Sequence, residues 1–102
     1  MKPSEILTAA RAIIEKPENW TQGYFARNKS YSPVHTDSAH ACKFCAVGAL
    51  HCIECDNWRD AFDYASRINP NIPLADFNDT HTHAEVLAMF DEAIATAIAN
   101  GE

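Results

Sequence analysis

The sequence predicts a mainly α-helical fold, about four helices around one core, with a small β-hairpin or loop insertion after the first helix. Apolar residues recur at helical spacing in several segments, and prolines and capping residues punctuate them. One aromatic-rich stretch, residues 19–34, breaks that pattern. With 102 residues, 47% of them hydrophobic, the chain suffices for one core and a single domain, residues 1–102.

The first helix is expected from Ser4, as its cap, to about Lys16, with Ile6, Leu7, Ala10, Ile13 and Ile14 on one face and Pro17 as the stop. Trp20, Tyr24, Phe25 and Tyr31 favour strands, so Thr21–Arg27 and Tyr31–His35 are expected to pair as a hairpin or to form a loop pinned by its aromatics. A second helix is expected from Asp37 or Ser38 through Leu50, apolar almost all round and therefore central. Gly48 within it costs about 1 kcal/mol relative to Ala, and points to close approach of a backbone or a bulky ring. A third helix starts at an Asp56 cap, runs through Trp58, Phe62, Ala65 and Ile68, and stops before Pro70. Residues 70–80 read as loop. In the last helix Thr82 and Glu85 form a capping box, Leu87, Phe90, Ile94, Ala97 and Ile98 form the stripe, and Gly101 stands at the C-terminal cap.

Eight basic residues against fourteen acidic give a formal charge of −6, which argues against direct nucleic-acid binding but leaves room for a local basic patch. No apolar run is long enough for a membrane span, and the charged N-terminus does not resemble a signal peptide, so a cytoplasmic protein is expected.

Cys42, Cys45, Cys52 and Cys55 form two C-x-x-C pairs, a familiar zinc signal. Helical geometry opposes it, because Cys45 and Cys52 on one helix stand about 10.5 Å apart along the axis. A single zinc ion would need a chain reversal inside the apolar run between the pairs. The competing expectation is that Cys42 and Cys45 are core thiols and the other two lie near a helix end. His81 and His83 follow Asp79 as solvated loop histidines near a helix start. Gln22, Cys45, Asn78 and His83 are the residue types of a thiol-enzyme site, with Cys45 as nucleophile and His83 as base. Yet an apolar setting would raise the Cys45 pKa and leave it inert.

Trp20-Thr-Gln-Gly23, Phe44-Cys-Ala-Val-Gly-Ala-Leu50, Phe77-Asn-Asp79, Thr82-x-Ala-Glu-Val-Leu87 and Ala93-Ile94 occur in that order. The chain thereby resembles a family of small uncharacterised proteins of bacteria and their phages, over roughly Ile6 to Ala97. The resemblance implies a compact, mainly helical domain and no established activity. Of the four cysteines only Cys45 falls within a matching motif. As scaffold, the Gly48-Ala49 pair would let Trp20 or a helix pack closely, and Asn78 and Asp79 would tie down the preceding loop. As a pocket, the motifs would contribute Trp20, Gln22, Asn78, Asp79 and His83.

The leading expectation is a small non-enzymatic domain that binds a protein or small-molecule partner, without a cofactor. Structural zinc binding through the four cysteines and thiol catalysis by Cys45 and His83 are the alternatives. Ten percent aromatic residues in so short a chain also make a homodimer reasonable.

Overall fold

Five α-helices and one two-stranded antiparallel sheet build the chain in the computed structural model, which describes residues 1–102. Helix α1, Pro3–Ile13, buries Ile6, Leu7 and Ala10, with Ile14 buried just beyond its end. Its N-cap is Lys2 rather than Ser4. Pro3 explains the shift: its fixed φ suits the first helical position, where its missing N–H is no loss. The Lys2 N–H donates to the Glu5 carboxylate at 2.7 Å. The helix stops before Lys16, and Pro17–Asn19 makes a 3₁₀ turn.

Of the two arrangements expected for residues 21–35, the hairpin of Thr21–Arg27 with Tyr31–His35 does not form and the segment is mostly loop. Strand β1, Ala26–Arg27, pairs instead with β2, Lys43–Phe44, in the register Ala26 to Phe44 and Arg27 to Lys43. Only an isolated bridge joins Arg27 to Pro33. Proline has no N–H to extend a ladder there. The chain turns at Asn28, whose side-chain oxygen accepts from the Ser30 and Ser32 N–H groups at 2.9 and 3.0 Å.

The second helix is correspondingly shorter than expected. Helix α2 is Ala46–His51, and residues 37–42 are turns and irregular chain. Sheet pairing takes the backbone upstream of it: Phe44 faces Ala26 on one side and Trp20 on the other, and the Cys45 N–H donates to the Phe25 carbonyl at 3.2 Å. Phe44 therefore belongs to a strand with two neighbours. Gly48 receives the backbone of Phe25, not Trp20 or a helix: a Cβ at Gly48 would lie 1.9 Å from the Phe25 oxygen.

Helix α3, Trp58–Ile68, follows Asn57 rather than an Asp56 cap. The Asn57 amide is directed elsewhere, donating to the Met1 carbonyl and accepting from the Cys55 thiol. Helix α4, Leu74–Thr80, lies where loop was expected. It buries Leu74, Phe77 and Asn78, one side of two short turns. Helix α5, His83–Ala99, matches its expected boundaries, and Gly101 adopts the left-handed φ of 75° just past its end. Its buried residues are Val86, Met89, Phe90, Ala93 and Ala97, while Leu87 and Ile94 are half-buried and Ile98 is exposed. The real stripe thus lies one position round from the expected one, with smaller residues inside. Helix α3 is rotated likewise, burying Ala61, Tyr64 and Ala65 and leaving Trp58, Phe62 and Ile68 at its margin.

Helix α1 lies against α5, α3 and α2, so one apolar cluster runs through all the helices. The loop and sheet segment, residues 20–44, flanks that cluster, with Trp20 and Phe44 packed against it, and is fastened by α2 and α4. No helix is long and apolar enough to cross a membrane.

The capping box at α5 gives a direct test of local stability. The Thr82 N–H donates to Glu85 at 2.8 Å, and the Glu85 N–H donates to the Thr82 hydroxyl at 3.2 Å. The Thr82 backbone and then its side chain hold the Glu85 carboxyl below its usual range. A depressed folded pKa contributes stability above the unfolded carboxyl pKa and loses it as pH falls through the folded value. Replacing Thr82 by Ala should cost about 1 kcal/mol at neutral pH, read by urea unfolding. The Glu85→Gln variant should remove this carboxyl's share of the acid destabilisation; an unchanged acid profile would disprove the assignment.

Candidate functional site

Helix α4 brings the five motif residues together by aiming Asn78 at the loop segment that precedes β1. The Asn78 side chain is 0% exposed. Its oxygen accepts from the Trp20 indole N–H at 2.8 Å and from the Ala46 backbone N–H at 3.0 Å. Its amide nitrogen donates to the Thr21 carbonyl and to Asp79 Oδ1, both at 3.1 Å. One amide therefore joins four groups from three segments, with both donors and both acceptor sites used.

The neighbours extend the same net. Asp79 Oδ1 also accepts from the Gly23 N–H at 2.9 Å, where Gly23 takes the positive φ of 87°. Gln22 is exposed but bridges the end of α4, donating to the Asn78 and His81 carbonyls at 3.0 and 3.1 Å. His83 stacks obliquely on Trp20, ring centroids 5.4 Å apart, and its Nε2 lies 2.6 Å from the Ile14 carbonyl. A carbonyl only accepts, so Nε2 carries the proton in this contact. The structure brings Trp20, Gln22, Asn78, Asp79 and His83 together, and what they hold is largely one another and nearby backbone.

Cys45 lies beside this net as the N-cap of α2, 3% exposed, its sulfur accepting from the Gly48 N–H at 3.3 Å. Burial pushes its thiol pKa up, outweighing the backbone hydrogen bonds that pull it down, and the Asp79 carboxylate adds to the rise. No hydrogen bond joins Cys45 to His83, whose Nε2 is taken by Ile14. A cavity of about 70 Å³ next to Cys45, bounded by Gly23, Tyr24, Phe25, Ala75 and Asp79, has room for about two waters. In the native state Cys45 should alkylate with iodoacetamide far more slowly than a free thiol. Labelling faster than a free thiol would restore it as a nucleophile.

The other cysteines are dispersed. All four are free; Cys42 precedes β2, Cys52 ends α2, and Cys55 donates to the Asn57 side chain at 2.8 Å. Of the expected core pair only Cys45 is buried, and Cys42 is half-buried. No three His, Cys, Asp or Glu side chains stand close enough together to hold a metal ion.

A second feature lies on the loop face and was not among the sequence candidates. Tyr24, Phe25 and Tyr31 are 54%, 49% and 61% exposed. Arg27 lies 4.6 Å over the Tyr24 ring, Lys43 4.7 Å over Tyr31, and Arg59 5.7 Å over Trp58. Phe25, His51 and Trp58 continue the surface as edge-to-face contacts at 5.5 and 4.8 Å. The signal in the sequence was charge distribution: residues 20–53 carry Arg27, Lys29 and Lys43 against Asp37 alone, within a chain of net charge −6.

Fold and site together define a small, mainly helical domain with a self-satisfied polar knot beneath an exposed aromatic and cationic loop face. The chain belongs to the Family of unknown function (DUF6197), which matches residues 1–96. No curated protein and no solved structure matches the chain.

Proposed function

We propose that the chain is a small, non-enzymatic interaction domain that engages a protein partner through the loop face bearing Tyr24, Phe25 and Tyr31. The observation that carries this reading is Tyr31, which is 61% exposed and held at φ 66°. That left-handed backbone suits Gly or Asn and strains an aromatic residue. A large ring kept in a strained, solvent-facing position points to a task outside folding. The polar knot supports the same view from the other side. Trp20 and Asn78 spend their hydrogen-bonding groups inside the protein, so their role is to fasten the loop to α4 and α2.

Replacing Tyr31 by Gly should raise stability by roughly 0.5–1 kcal/mol while weakening binding, a trade between folding and function. For the proposal itself, a benzoylphenylalanine placed at Tyr31 should photo-cross-link to a discrete partner in cells, and the same group at Thr96 on α5 should not. Equal labelling from both positions would contradict it. So would substrate turnover that disappears on Cys45→Ala or His83→Ala.

A further inference from the structure

We infer that the partner presents an acidic segment with apolar side chains interspersed. This rests on the loop face being the interaction surface, and it names the chemistry that face would select. Two runs of contacts mark the surface, Trp58 to His51 to Phe25, and Tyr24 under Arg27, which donates to the Tyr31 carbonyl at 2.8 Å while Lys43 covers Tyr31; they meet where Tyr24 and Phe25 border one small cavity. Aromatic rings supply apolar area with little side-chain entropy to lose on binding.

The cations on this surface have no carboxylate of their own. The chain holds fourteen Asp and Glu residues, yet its two ion pairs are both made by Arg11, with Glu15 and Asp91. Arg27, Lys29, Lys43 and Arg59 are left without an acidic partner within the molecule. Lys29 and His40 face a polar cleft of about 370 Å³ between residues 28–30 and 39–42. Residues 20–59, which carry this face, hold four basic residues against Asp37, Glu54 and Asp56, while the rest of the chain holds four basic residues against eleven acidic. The face is therefore a positive patch on a negative body, and complementarity calls for a locally acidic partner.

An acidic peptide fits this surface better than a nucleic acid does. The Tyr24, Tyr31 and Trp58 rings already carry a cation over one side, which a stacking base would have to displace. Arg27 and Lys43 already donate to carbonyl groups of the chain, whereas Lys29 and Arg59 are exposed and free for a carboxylate to reach without disturbing the rings. A long polyanion would also meet the acidic remainder of a molecule only 40 × 27 × 20 Å, a few screening lengths across.

The test is a selection from a random displayed-peptide library with the wild-type chain as bait. Enriched peptides are then measured on two variants whose thermal unfolding confirms the fold. One is Tyr24→Ser with Phe25→Ser and Tyr31→Ser; the other is Lys29→Glu with Arg59→Glu. The expected peptides carry net negative charge and aromatic or aliphatic residues. They should lose binding on the aromatic variant and weaken about tenfold or more on the charge variant. Peptides sensitive to the aromatic variant but neutral or basic, and indifferent to the charge variant, would overturn the acidic partner while sparing the loop face. Failure to enrich any peptide sensitive to the aromatic variant would overturn both. Tighter binding of a twelve-residue oligo(dT) than of the peptides, lost on the charge variant, would replace the peptide with single-stranded nucleic acid.

Discussion

Replacing Asn78 by alanine should lower the unfolding free energy by about 3–5 kcal/mol, because each buried polar group left without a partner costs about 1–3 kcal/mol. The change strands the Trp20 indole N–H, the Ala46 N–H and the Thr21 carbonyl at once. It also leaves a cavity where a fully buried side chain stood. Urea unfolding followed by the fluorescence of Trp20 and Trp58 and by circular dichroism reads the loss. A change below about 1 kcal/mol would show that the knot is dispensable. The Asn78→Asp variant separates hydrogen bonding from volume. Its oxygens could still accept from Trp20 and Ala46 but would face the Thr21 carbonyl and the Asp79 carboxylate. Burial and the like charge would raise the pKa of the new carboxyl in the fold. A raised folded pKa favours folding below the unfolded value and loses that advantage as pH rises. The destabilisation of this variant relative to wild type should therefore ease in mild acid. Gln22→Ala removes two bonds from an exposed donor and should cost no more than about 1 kcal/mol.

Gly48→Ala should destabilise by about 3 kcal/mol, although alanine in a helix interior ordinarily gains about 1 kcal/mol over glycine. The sign reverses because the added methyl would meet backbone rather than a yielding side chain, 1.9 Å from the Phe25 oxygen and 2.8 Å from its carbonyl carbon. Either α2 shifts, breaking the Asn78 contact at Ala46, or the 23–26 segment lifts away and takes Phe25 with it. Faster amide exchange at Ala26 and Cys45, beyond the loss at α5, should accompany the change. A neutral or stabilising outcome would contradict the close approach.

How much of this the sequence disclosed follows from where each element's signal lies. Helix α5 was legible because Thr82, Glu85 and Gly101 are local signals that need no partner. Helix α4 was hidden behind Pro70 and Pro73, and in a short segment Leu74, Phe77 and Asn78 make too small a stripe. Strand β2 was hidden because Phe44 opens an apolar run that also suits a helix. Its strand character comes from Ala26 and Trp20, partners distant in sequence. The rotation of α3 and α5 has a packing cause. Helices that lie close bury alanines, and the larger Leu87, Ile94 and Ile98 are turned toward the margin or solvent. The polar knot was legible as a set of motif residues, but nothing in the residue types distinguished lining a pocket from satisfying one another. The loop face went unread because an overall charge of −6 masks a local excess of cations.

Amide and indole chemical shifts of the isotopically labelled protein, titrated with the tightest peptide from the selection, test most directly whether recognition lies on the loop face or in the knot. The largest changes are expected at Tyr24, Phe25, Lys29, Tyr31, His51 and Arg59, with the Trp20 indole resonance nearly still. Largest changes at the Trp20 indole, the Asn78 side-chain amide and His83 would contradict this and make the knot the binding site.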